Sequence, residues 1–319
     1  MKFWIVTPSY NQLEWLKCCV ASVADQAAGS HAVEDCSLPV DQELPTTRQQ
    51  DNLTANHAIR VHHHIQDACS TDGTVEFLKE YIARQPATGS YQLTCASEAD
   101  GGMYDALNRG WKLAPDDVDV IAHLNCDEQY LPNALSTVAG CMKRHPQEDV
   151  VLADMVVVDD QGEYICHRRS LKPYRVFSKY CCAGMTATTF HRASVTKEKK
   201  VFFDTSWKNF GDKVWYNDLH RAGCTFAVCH ALVSVFTDTG ENINWTDAGL
   251  LEKKRYEDEF LHGRSIGTTL TARLLGLRRG IAELFLAPPE NYSLYLNGDP
   301  AGRVIKTISH PTGFWHKRW

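Results

Sequence analysis

The sequence predicts an α/β fold whose central sheet is Rossmann-like, mostly parallel and flanked by helices. Three segments each combine a short strand, a polar loop and a helix, with the strands at residues 3–7, 61–66 and 92–96. Repeated strand–helix units of this kind are typical of parallel sheets. With 319 residues, of which 44% are hydrophobic, the chain can bury one large α/β domain and carry an appendage.

The first strand, residues 3–7, is rich in β-branched and aromatic residues, as short buried strands are. Residues 8–11 end the strand. The helix that follows is marked by apolar residues at spacings of three and four, namely Leu13, Leu16, Val20 and Val23. The intervening loop lacks the Gly-x-Gly-x-x-Gly of dinucleotide-binding folds and the Gly-Lys-Ser/Thr of P-loops, so neither phosphate-binding motif is indicated.

The second unit places an aspartate at the end of a strand. Asp67 directly follows the predicted strand at 61–66, and Ser70, Thr71 and Asp72 behind it are good helix N-caps. An ordinary capped junction would explain those three residues. It leaves the Asp67 carboxylate available for binding.

The third unit has two glycines before its helix. Gly101 and Gly102 follow the strand at 92–96, and they indicate either close approach of a ligand or a special backbone angle. The helix is expected to carry polar residues near its first turns, namely Asp100, Tyr104, Asp105 and Asn108. Asp100, Tyr104 and Asn108 are four apart, so they would share one helix face.

A further apolar strand, residues 118–124, runs directly into Asn125, Cys126, Asp127 and Glu128. In open α/β sheets, ligands bind in the crevice at the carboxyl ends of the strands. Asp127 can ligate a hard divalent cation there, with Asn125 or Glu128 close enough to assist. Taken alone, the segment could equally be a strand followed by an acidic turn. The Cys126 thiol is expected to pack away from the metal, since sulfur suits zinc better than magnesium or manganese.

Together these blocks resemble the family 2 glycosyltransferases of the GT-A fold, and in particular the bacterial enzymes that build surface polysaccharides. The resemblance covers residues 2–235, with one insertion. The matching phrases are Val6-Thr7-Pro8-Ser9-Tyr10-Asn11, Asp67-x-x-Ser70-Thr71-Asp72-Gly73-Thr74, Glu98-x-Asp100-x-Gly102-Met103-Tyr104-Asp105-Ala106-x-Asn108-Arg109-Gly110, Leu124-Asn125-x-Asp127, and Phe203-Asp204-x-x-Trp207 followed by Phe210-Gly211-Asp212.

The resemblance implies an inverting, metal-dependent transfer of a sugar from a nucleotide-sugar donor to a hydroxyl of a glycan or lipid-linked acceptor. UDP is the default nucleotide. Mn²⁺ or Mg²⁺ would be the cofactor, with Asp127 as its ligand. Asp67 would accept a hydrogen bond from the nucleotide base. The residues assigned to the nucleotide-sugar are Thr7, Pro8, Ser9, Tyr10, Asn11, Asp67, Asp100, Tyr104, Asp105, Asn108, Arg109, Asn125 and Cys126.

By the same resemblance, an acidic residue that opens a later helix is the catalytic base, and Asp212 fits that place best. Asp218 is a second candidate, but it lies deeper in the helix, where a solvated face would explain it. The positive end of the helix dipole is expected to lower the basicity of Asp212 somewhat and to keep it ionised. If Asp212 is only an N-cap, it is worth about 1 kcal/mol of stability.

The sequence departs from the family pattern at three sites. Thr186 stands where relatives often have a histidine, which puts any histidine role there in doubt. Glu128 replaces a second aspartate, and Ala68-Cys69 replaces a pair of glycines, so that a side chain would narrow the pocket. None of these changes removes an essential carboxylate.

Charge and composition exclude some classes of function. A formal net charge of −6, without a basic run, argues against general nucleic-acid binding. The 12 cysteines include no Cys-x-x-Cys pair and are expected to be free thiols in a reducing cytosol. His62, His63 and His64 lie on a predicted strand and are expected to pack rather than to bind a metal. Without a signal peptide or a long apolar run, the chain is expected to be cytoplasmic, or peripheral at the inner face of the membrane.

The predicted catalytic domain covers residues 1–238, with a polar surface insertion at 27–60. Residues 239–319 form a C-terminal extension with an amphipathic helix and a small hairpin. The helix has an apolar stripe with arginines beside it: Leu270, Leu274, Leu277, Ile281 and Leu284, with Arg273, Arg278 and Arg279. Such a helix can rest on a membrane surface, or pack on the catalytic domain or on a second subunit in a homodimer. We expect the packed arrangement.

Two other classes of function stay open. One is a catalytically silent binding protein of the same fold, against which the presence of Asp67, Asp127 and Asp212 counts. The other is a metal-dependent hydrolase that uses the histidines and cysteines, which the zinc content of the purified protein would reveal.

Overall fold

The computed structural model describes residues 1–27, 59–86, 89–175, 177–180, 184–240, 246–262, 266–284, 290–313 and 315. The predicted surface insertion at 27–60 lies outside these ranges except at its two ends. Within the described ranges, no helix is long and apolar enough to cross a membrane.

The central sheet is mixed. Its strands are β1 Lys2–Ser9, β2 Arg60–Asp67, β3 Tyr91–Ser97, β4 Val120–His123, β5 Glu128–Tyr130, β6 Val150–Asp159, β7 Tyr164–Arg168, β8 Thr189–Arg192 and β9 Phe226–Asp238. They follow the order β3-β2-β1-β4-β8-β6-β9-β5, with β7 paired to β6. β3, β2, β1 and β4 are mutually parallel, as are β6 and β9, whereas β8, β5 and β7 pair antiparallel to their neighbours. The α/β fold is confirmed, and the parallel character belongs chiefly to its first half.

Helices cover both faces of this sheet. They are α1 Leu13–Ala24, α2 Thr74–Ala83, α3 Met103–Lys112, α4 Ala134–Arg144, α5 Ala193–Lys197, α6 Gly211–Arg221, α7 Asp247–Leu261 and α8 Ile266–Leu284. A separate hairpin consists of β10 Asn291–Leu296 and β11 Asp299–Thr307, as the sequence predicted.

Strand β1 carries apolar side chains that point to both sides of the sheet. Phe3 and Ile5 face the layer formed by α1 and α4. Trp4 and Val6 face the opposite layer, where Trp111 of α3 and Trp215 of α6 meet at 5.5 Å between ring centroids. Because both faces of the sheet are covered at β1, the side chains on both sides of this strand are buried and apolar.

The C-terminal extension packs directly on the catalytic domain. Gln129 of β5 exchanges two hydrogen bonds of 2.8 Å with the backbone of Tyr295 in β10. Arg303 of β11 binds both carboxylate oxygens of Asp25, at 2.6 and 3.1 Å. In α7, the buried Tyr256 accepts a hydrogen bond of 2.6 Å from Asn217 of α6. The hairpin and α7 are therefore supports of the sheet and of α6.

The histidines of β2 are packing residues, as predicted. His64 stacks on Trp4 at 5.6 Å, and His62 lies on the same side of the strand, 6.0 Å from that ring. His63 points the other way and shares a hydrogen bond of 2.9 Å with Thr7. Burial lowers the pKa of His63 to about 3, so it stays neutral. All cysteines in the described part of the chain are free, and most are buried.

Candidate active site

The loops after β1 and β2 are joined by side-chain hydrogen bonds. Asn11 has a left-handed backbone conformation with φ of 50°. Its side-chain oxygen accepts a hydrogen bond of 2.8 Å from the backbone N–H of Thr71, and its backbone N–H donates one of 2.8 Å to the hydroxyl of Ser70. Asp72 accepts from the backbone N–H of Leu13 at 2.9 Å and so caps the start of α1. The two loops form one rigid rim at the carboxyl edge of the sheet.

Asp67 lies at the end of β2 and is fully buried. One carboxylate oxygen accepts from the Ser70 hydroxyl at 2.5 Å, and the other accepts from the Ser70 N–H at 3.0 Å and from the Ser97 hydroxyl at 2.6 Å. These serines fix the carboxylate between β2 and β3. They also occupy most of the acceptor capacity that the sequence assigned to a nucleotide base.

The predicted pocket residues in β1 and in the loop after it differ in their exposure. Thr7 is fully buried and bonded to His63, so its side chain does not line a cleft. Tyr10, by contrast, is 63% exposed at the rim, where an aromatic ring can contact a ligand. Pro8 is partly exposed, and its carbonyl oxygen accepts a weak hydrogen bond of 3.3 Å from the Cys126 thiol. That thiol belongs to an apolar cluster with Leu16 and Ile65, which confirms the predicted packing role of Cys126.

Asp100 does not lie in a helix, because α3 begins only at Met103. Instead, the Asp100 carboxylate accepts from the N–H of Gly102 at 2.8 Å. Gly102 has φ of 106°, which satisfies the predicted need for a special backbone angle. The expectation that Asp100 shares a helix face with Tyr104 and Asn108 was therefore wrong.

Asp105 and Arg109 form a network around the start of α3. Asp105 accepts from the N–H of Gly101 at 2.9 Å and pairs with Arg109 at 2.8 Å, and Arg109 also pairs with Glu98 at 3.1 Å. The hydrogen bond from Gly101 and the charge of Arg109 lower the pKa of Asp105. These contacts hold the glycine turn in place.

Tyr104 and Asn108 turn towards the segment before α6. The Asn108 amide donates to the carbonyl of Phe203 at 2.8 Å and accepts from its N–H at 2.9 Å. The Tyr104 ring stacks on Phe203 at 4.9 Å. A Cβ added at Gly211 would lie 2.4 Å from that ring, so only glycine lets α6 start here. Both side chains therefore place α6 relative to α3.

The turn between β4 and β5 holds the proposed metal ligands. Asp127 lies in this turn, and the next residue, Glu128, is buried and accepts from the N–H of Asn125 at 2.8 Å. Burial raises the pKa of Asp127. Burial and the charge of Asp127 raise the pKa of Glu128 to about 8. Two adjacent carboxyl groups with little water around them favour a bound cation.

The donor set in this turn fits a hard divalent metal. The side-chain oxygen of Asn125 is buried, and no hydrogen-bond partner for it is present among the described residues. Carboxylate and amide oxygens are the ligands that Mg²⁺ and Mn²⁺ prefer. The described residues hold no group of three or more His, Cys, Asp or Glu that could bind a metal. Mg²⁺ is commonly held by one or two carboxylates together with substrate phosphates.

Asp212 is the second residue of α6. Its N–H donates to the phenol oxygen of Tyr104 at 3.2 Å. One carboxylate oxygen accepts from the N–H of Lys213 at 2.7 Å. Burial raises the pKa of Asp212, and the contacts with Lys213 oppose that rise. The backbone N–H groups at the start of the helix lower the pKa of Asp212, as expected, but desolvation outweighs them and the net shift is upward.

Asp218, the alternative base, lies six residues further along α6. It is half-buried and forms an ion pair with Arg221 at 2.9 Å. Burial raises its pKa, and the charge of Arg221 opposes this effect. An ion-paired carboxylate in the second half of the helix is a weaker candidate than Asp212.

Sequence reasoning missed Glu252. This residue of α7 accepts three backbone hydrogen bonds from the loop before α6, from Lys208, Asn209 and Phe210, at 2.6, 2.7 and 3.0 Å. The carboxylate thereby fixes the approach to Asp212 from the C-terminal extension. The sequence around it, Leu251 to Glu259, has the charged pattern of an ordinary exposed helix. That pattern does not indicate that one of its carboxylates binds a distant loop.

A comparison with known protein families identifies the family of this chain. Residues 51–213, just over half of the chain, match the family described as Glycosyl transferase family 2. The chain belongs to the family 2 glycosyltransferases. It is accordingly an enzyme of the transferase class. A comparison with curated protein sequences found no match.

Solved structures show the same fold as this family 2 glycosyltransferase. The S. aureus TarS fragment 1–349 in complex with UDP-GlcNAc has 16% identity and a TM-score of 0.56, with 88% of this chain and 73% of that chain covered. The same fragment with UDP has 18% identity and a TM-score of 0.51, over 82% and 71% of the two chains. S. aureus TarS itself has 18% identity and a TM-score of 0.53, over 82% of this chain. The chain spans only 43% of the TarS chain in that structure. These likenesses confirm the GT-A fold.

Proposed function

We propose that this glycosyltransferase moves a sugar from a nucleotide-sugar donor to an acceptor hydroxyl, with inversion at the anomeric carbon. The observation that carries the proposal is the placement of three aspartates at one edge of the sheet. Asp67 ends β2, Asp127 follows β4, and the two strands are both parallel to β1, so their carboxyl ends coincide. Asp212 opens α6, and Tyr104 ties its backbone to the start of α3 at the same edge.

The donor side of the site is formed by the rim of the β1 and β2 loops and by the β4–β5 turn. Asp127 would hold a divalent metal, Mn²⁺ or Mg²⁺, with Asn125 and Glu128 beside it. When bound, the metal supplies positive charge against the leaving diphosphate. The exposed ring of Tyr10 is assigned to the nucleotide, and the acceptor position that Ser70 and Ser97 leave open on the buried Asp67 carboxylate is assigned to its base. UDP is the proposed nucleotide, which agrees with the UDP-GlcNAc and UDP bound by the TarS fragment.

The acceptor side is assigned to Asp212. The Asp212 carboxylate takes the proton of the acceptor hydroxyl while the hydroxyl oxygen attacks the anomeric carbon of the donor. General-base assistance of this kind is worth about a hundred- to ten-thousand-fold in rate. A raised pKa suits the task, because a more basic carboxylate is a stronger proton acceptor while it remains ionised near neutral pH. The acceptor is proposed to be a glycan or a lipid-linked glycan of bacterial surface-polysaccharide synthesis in the cytoplasm.

Nucleotide release tests the proposed function. Purified protein is incubated with a panel of UDP-, GDP- and dTDP-sugars and Mn²⁺, and the freed nucleotide is measured with and without a chelator. We expect release from one donor, loss of release with the chelator, and a large loss in Asp127→Asn. Asp116→Asn is the matched control, since that carboxylate is fully exposed and pairs only with Lys197 at 3.4 Å.

Two results would contradict the proposal. Chelator-insensitive release would remove the metal role of Asp127. Tight donor binding without any release, across the panel and with simple sugar acceptors added, would favour the catalytically silent binding protein.

A further inference from the structure

Helix α8 carries an apolar stripe that faces solvent. The stripe consists of Leu270, Leu274, Leu277 and Ile281, whose side chains are 56%, 57%, 61% and 48% exposed. The sequence led us to expect α8 to pack on the catalytic domain or on a second subunit. The helix does contact the catalytic domain, but through Leu275 and not through the stripe, which is uncovered among the described residues.

The opposite side of α8 holds the helix in place. Leu275 is buried against the segment at 171–178. Arg278 lies 5.1 Å above the ring of Tyr174 in that segment. Tyr174 and Phe177 are themselves 54% and 39% exposed, so they extend the apolar surface beside the helix. Since α8 is anchored through Leu275, the outward direction of the stripe follows from the packing of the helix.

Arginines flank the stripe on both sides. With 3.6 residues per turn, the four stripe residues fall within an arc of roughly 60°. On the same count, Arg273 lies roughly 60° from Leu270 on one side and Arg278 roughly 80° on the other. Both arginines are exposed. A narrow apolar stripe with basic residues along its two borders is the pattern of a helix that lies in a membrane interface.

We propose that the apolar stripe of α8 docks on an anionic lipid surface. The four side chains would enter the headgroup and acyl boundary, while Arg273 contacts lipid phosphates and Arg278, held over the Tyr174 ring, adds positive charge at the other border of the stripe. Charge decides against a second copy of the chain as the occupant. Residues 266–282 contain no acidic residue, so pairing two α8 helices through the stripe would bring arginines together without a carboxylate to offset them. The proposal does not depend on the transferase activity.

Vesicle binding tests this inference with the full chain. Co-sedimentation is measured with vesicles of phosphatidylcholine alone and of phosphatidylcholine mixed with phosphatidylglycerol, at low and high salt. We expect binding to the mixed vesicles that weakens as salt rises. The triple variant Leu270→Gln, Leu274→Gln, Leu277→Gln should bind at least about tenfold more weakly, because burying one leucine is worth about that factor. Arg273→Gln should reduce the preference for the anionic vesicles.

The matched control is Leu251→Gln on α7, an equally exposed leucine outside the stripe, at 69%. It should bind vesicles like the wild type. Glutamine is a good helix former, so circular dichroism and thermal unfolding of the triple variant should remain unchanged. Three results would overturn the inference: no binding of the wild type to the mixed vesicles, equal binding by the triple variant, or a dimer in light scattering that the triple variant abolishes.

Discussion

The phenol oxygen of Tyr104 accepts a hydrogen bond of 3.2 Å from the backbone N–H of Asp212. One residue thus connects the start of α3 with the start of α6. The sequence assigned Tyr104 to the nucleotide-sugar, and its buried ring instead stacks on Phe203 below α6. We infer that Tyr104 positions the proposed base.

Removing that hydroxyl should slow transfer without unfolding the protein. Tyr104→Phe keeps the ring stacked on Phe203 and leaves the N–H of Asp212 without its partner. One such hydrogen bond is worth about 1 kcal/mol, so we expect kcat to fall by about fivefold. Tyr292→Phe is the control, because its buried hydroxyl donates a single hydrogen bond of 2.7 Å to Gly162, far from the site along the chain. Equal kcat in both variants would refute the positioning role.

Glu252 should act on turnover through the loop before α6. Glu252→Gln removes the charge that holds the N–H groups of Lys208, Asn209 and Phe210. Charge-assisted hydrogen bonds are about twice as strong as neutral ones, so we expect about a tenfold lower kcat with little change in the KM for the donor. Steady-state kinetics measure both constants. Glu259→Gln on the same helix, which loses only a surface pair with Arg255, should match the wild type.

Asp67 should matter for nucleotide affinity. Asp67→Asn keeps the size of the side chain but weakens its acceptance from Ser70, Ser97 and the proposed base. We expect the Kd for UDP with Mn²⁺ to rise by about tenfold in calorimetry, since a hydrogen bond to a charged group is worth about 1.5 to 3 kcal/mol. Asp72→Asn, which alters a carboxylate of the same loop that binds Leu13 and Thr74, is the control. Unchanged affinity in Asp67→Asn would assign the base to another partner.

Buried neutral histidines predict a loss of stability in acid. Burial lowers the pKa of His123 to about 3, against about 6.5 in the unfolded chain. As the pH falls below 6.5, the unfolded state takes a proton that the native His123 does not, so unfolding becomes easier. His123 packs beside Trp111 and Phe203, and phenylalanine fits that aromatic cluster. His123→Phe should therefore gain stability relative to the wild type by up to about 1.4 kcal/mol for each pH unit below 6.5.

Urea unfolding at pH 7, 6 and 5 measures that difference. Taking the difference between variant and wild type removes the contribution of the buried carboxyl groups, which changes with pH in the opposite direction. Glu128 is the main example. Burial and the charge of Asp127 raise its pKa to about 8, so below that pH the native state binds a proton that the unfolded chain releases. A difference that is constant with pH would show that native His123 takes up its proton as readily as the unfolded chain does, which would contradict its lowered pKa.

Short-range patterns were enough to predict most of the fold. The strand before Asp67, the helix after Gly102 and the C-terminal hairpin all follow from local periodicity and turn residues, and all three are present. The antiparallel pairing of β8 between β4 and β6 was not predictable, because pairing partners are set by contacts distant in sequence. The same holds for the site. Motif positions indicated Asp127 and Asp212, whereas the roles of Tyr104 and Glu252 depend on contacts 108 and 42 to 44 residues away in the chain.

We propose that Asp212 is the base of a metal-assisted glycosyl transfer. Single-turnover transfer by Asp212→Asn, measured after donor and Mn²⁺ binding have been confirmed by calorimetry, tests this role. Asparagine caps a helix about as well as aspartate but cannot take a proton, so a merely structural Asp212 would tolerate the change. We predict normal folding, normal binding of donor and metal, and transfer slowed by at least about a hundredfold. Transfer near the wild-type rate would show that Asp212 is not the base and move that role to another residue, with Asp218 the first to examine.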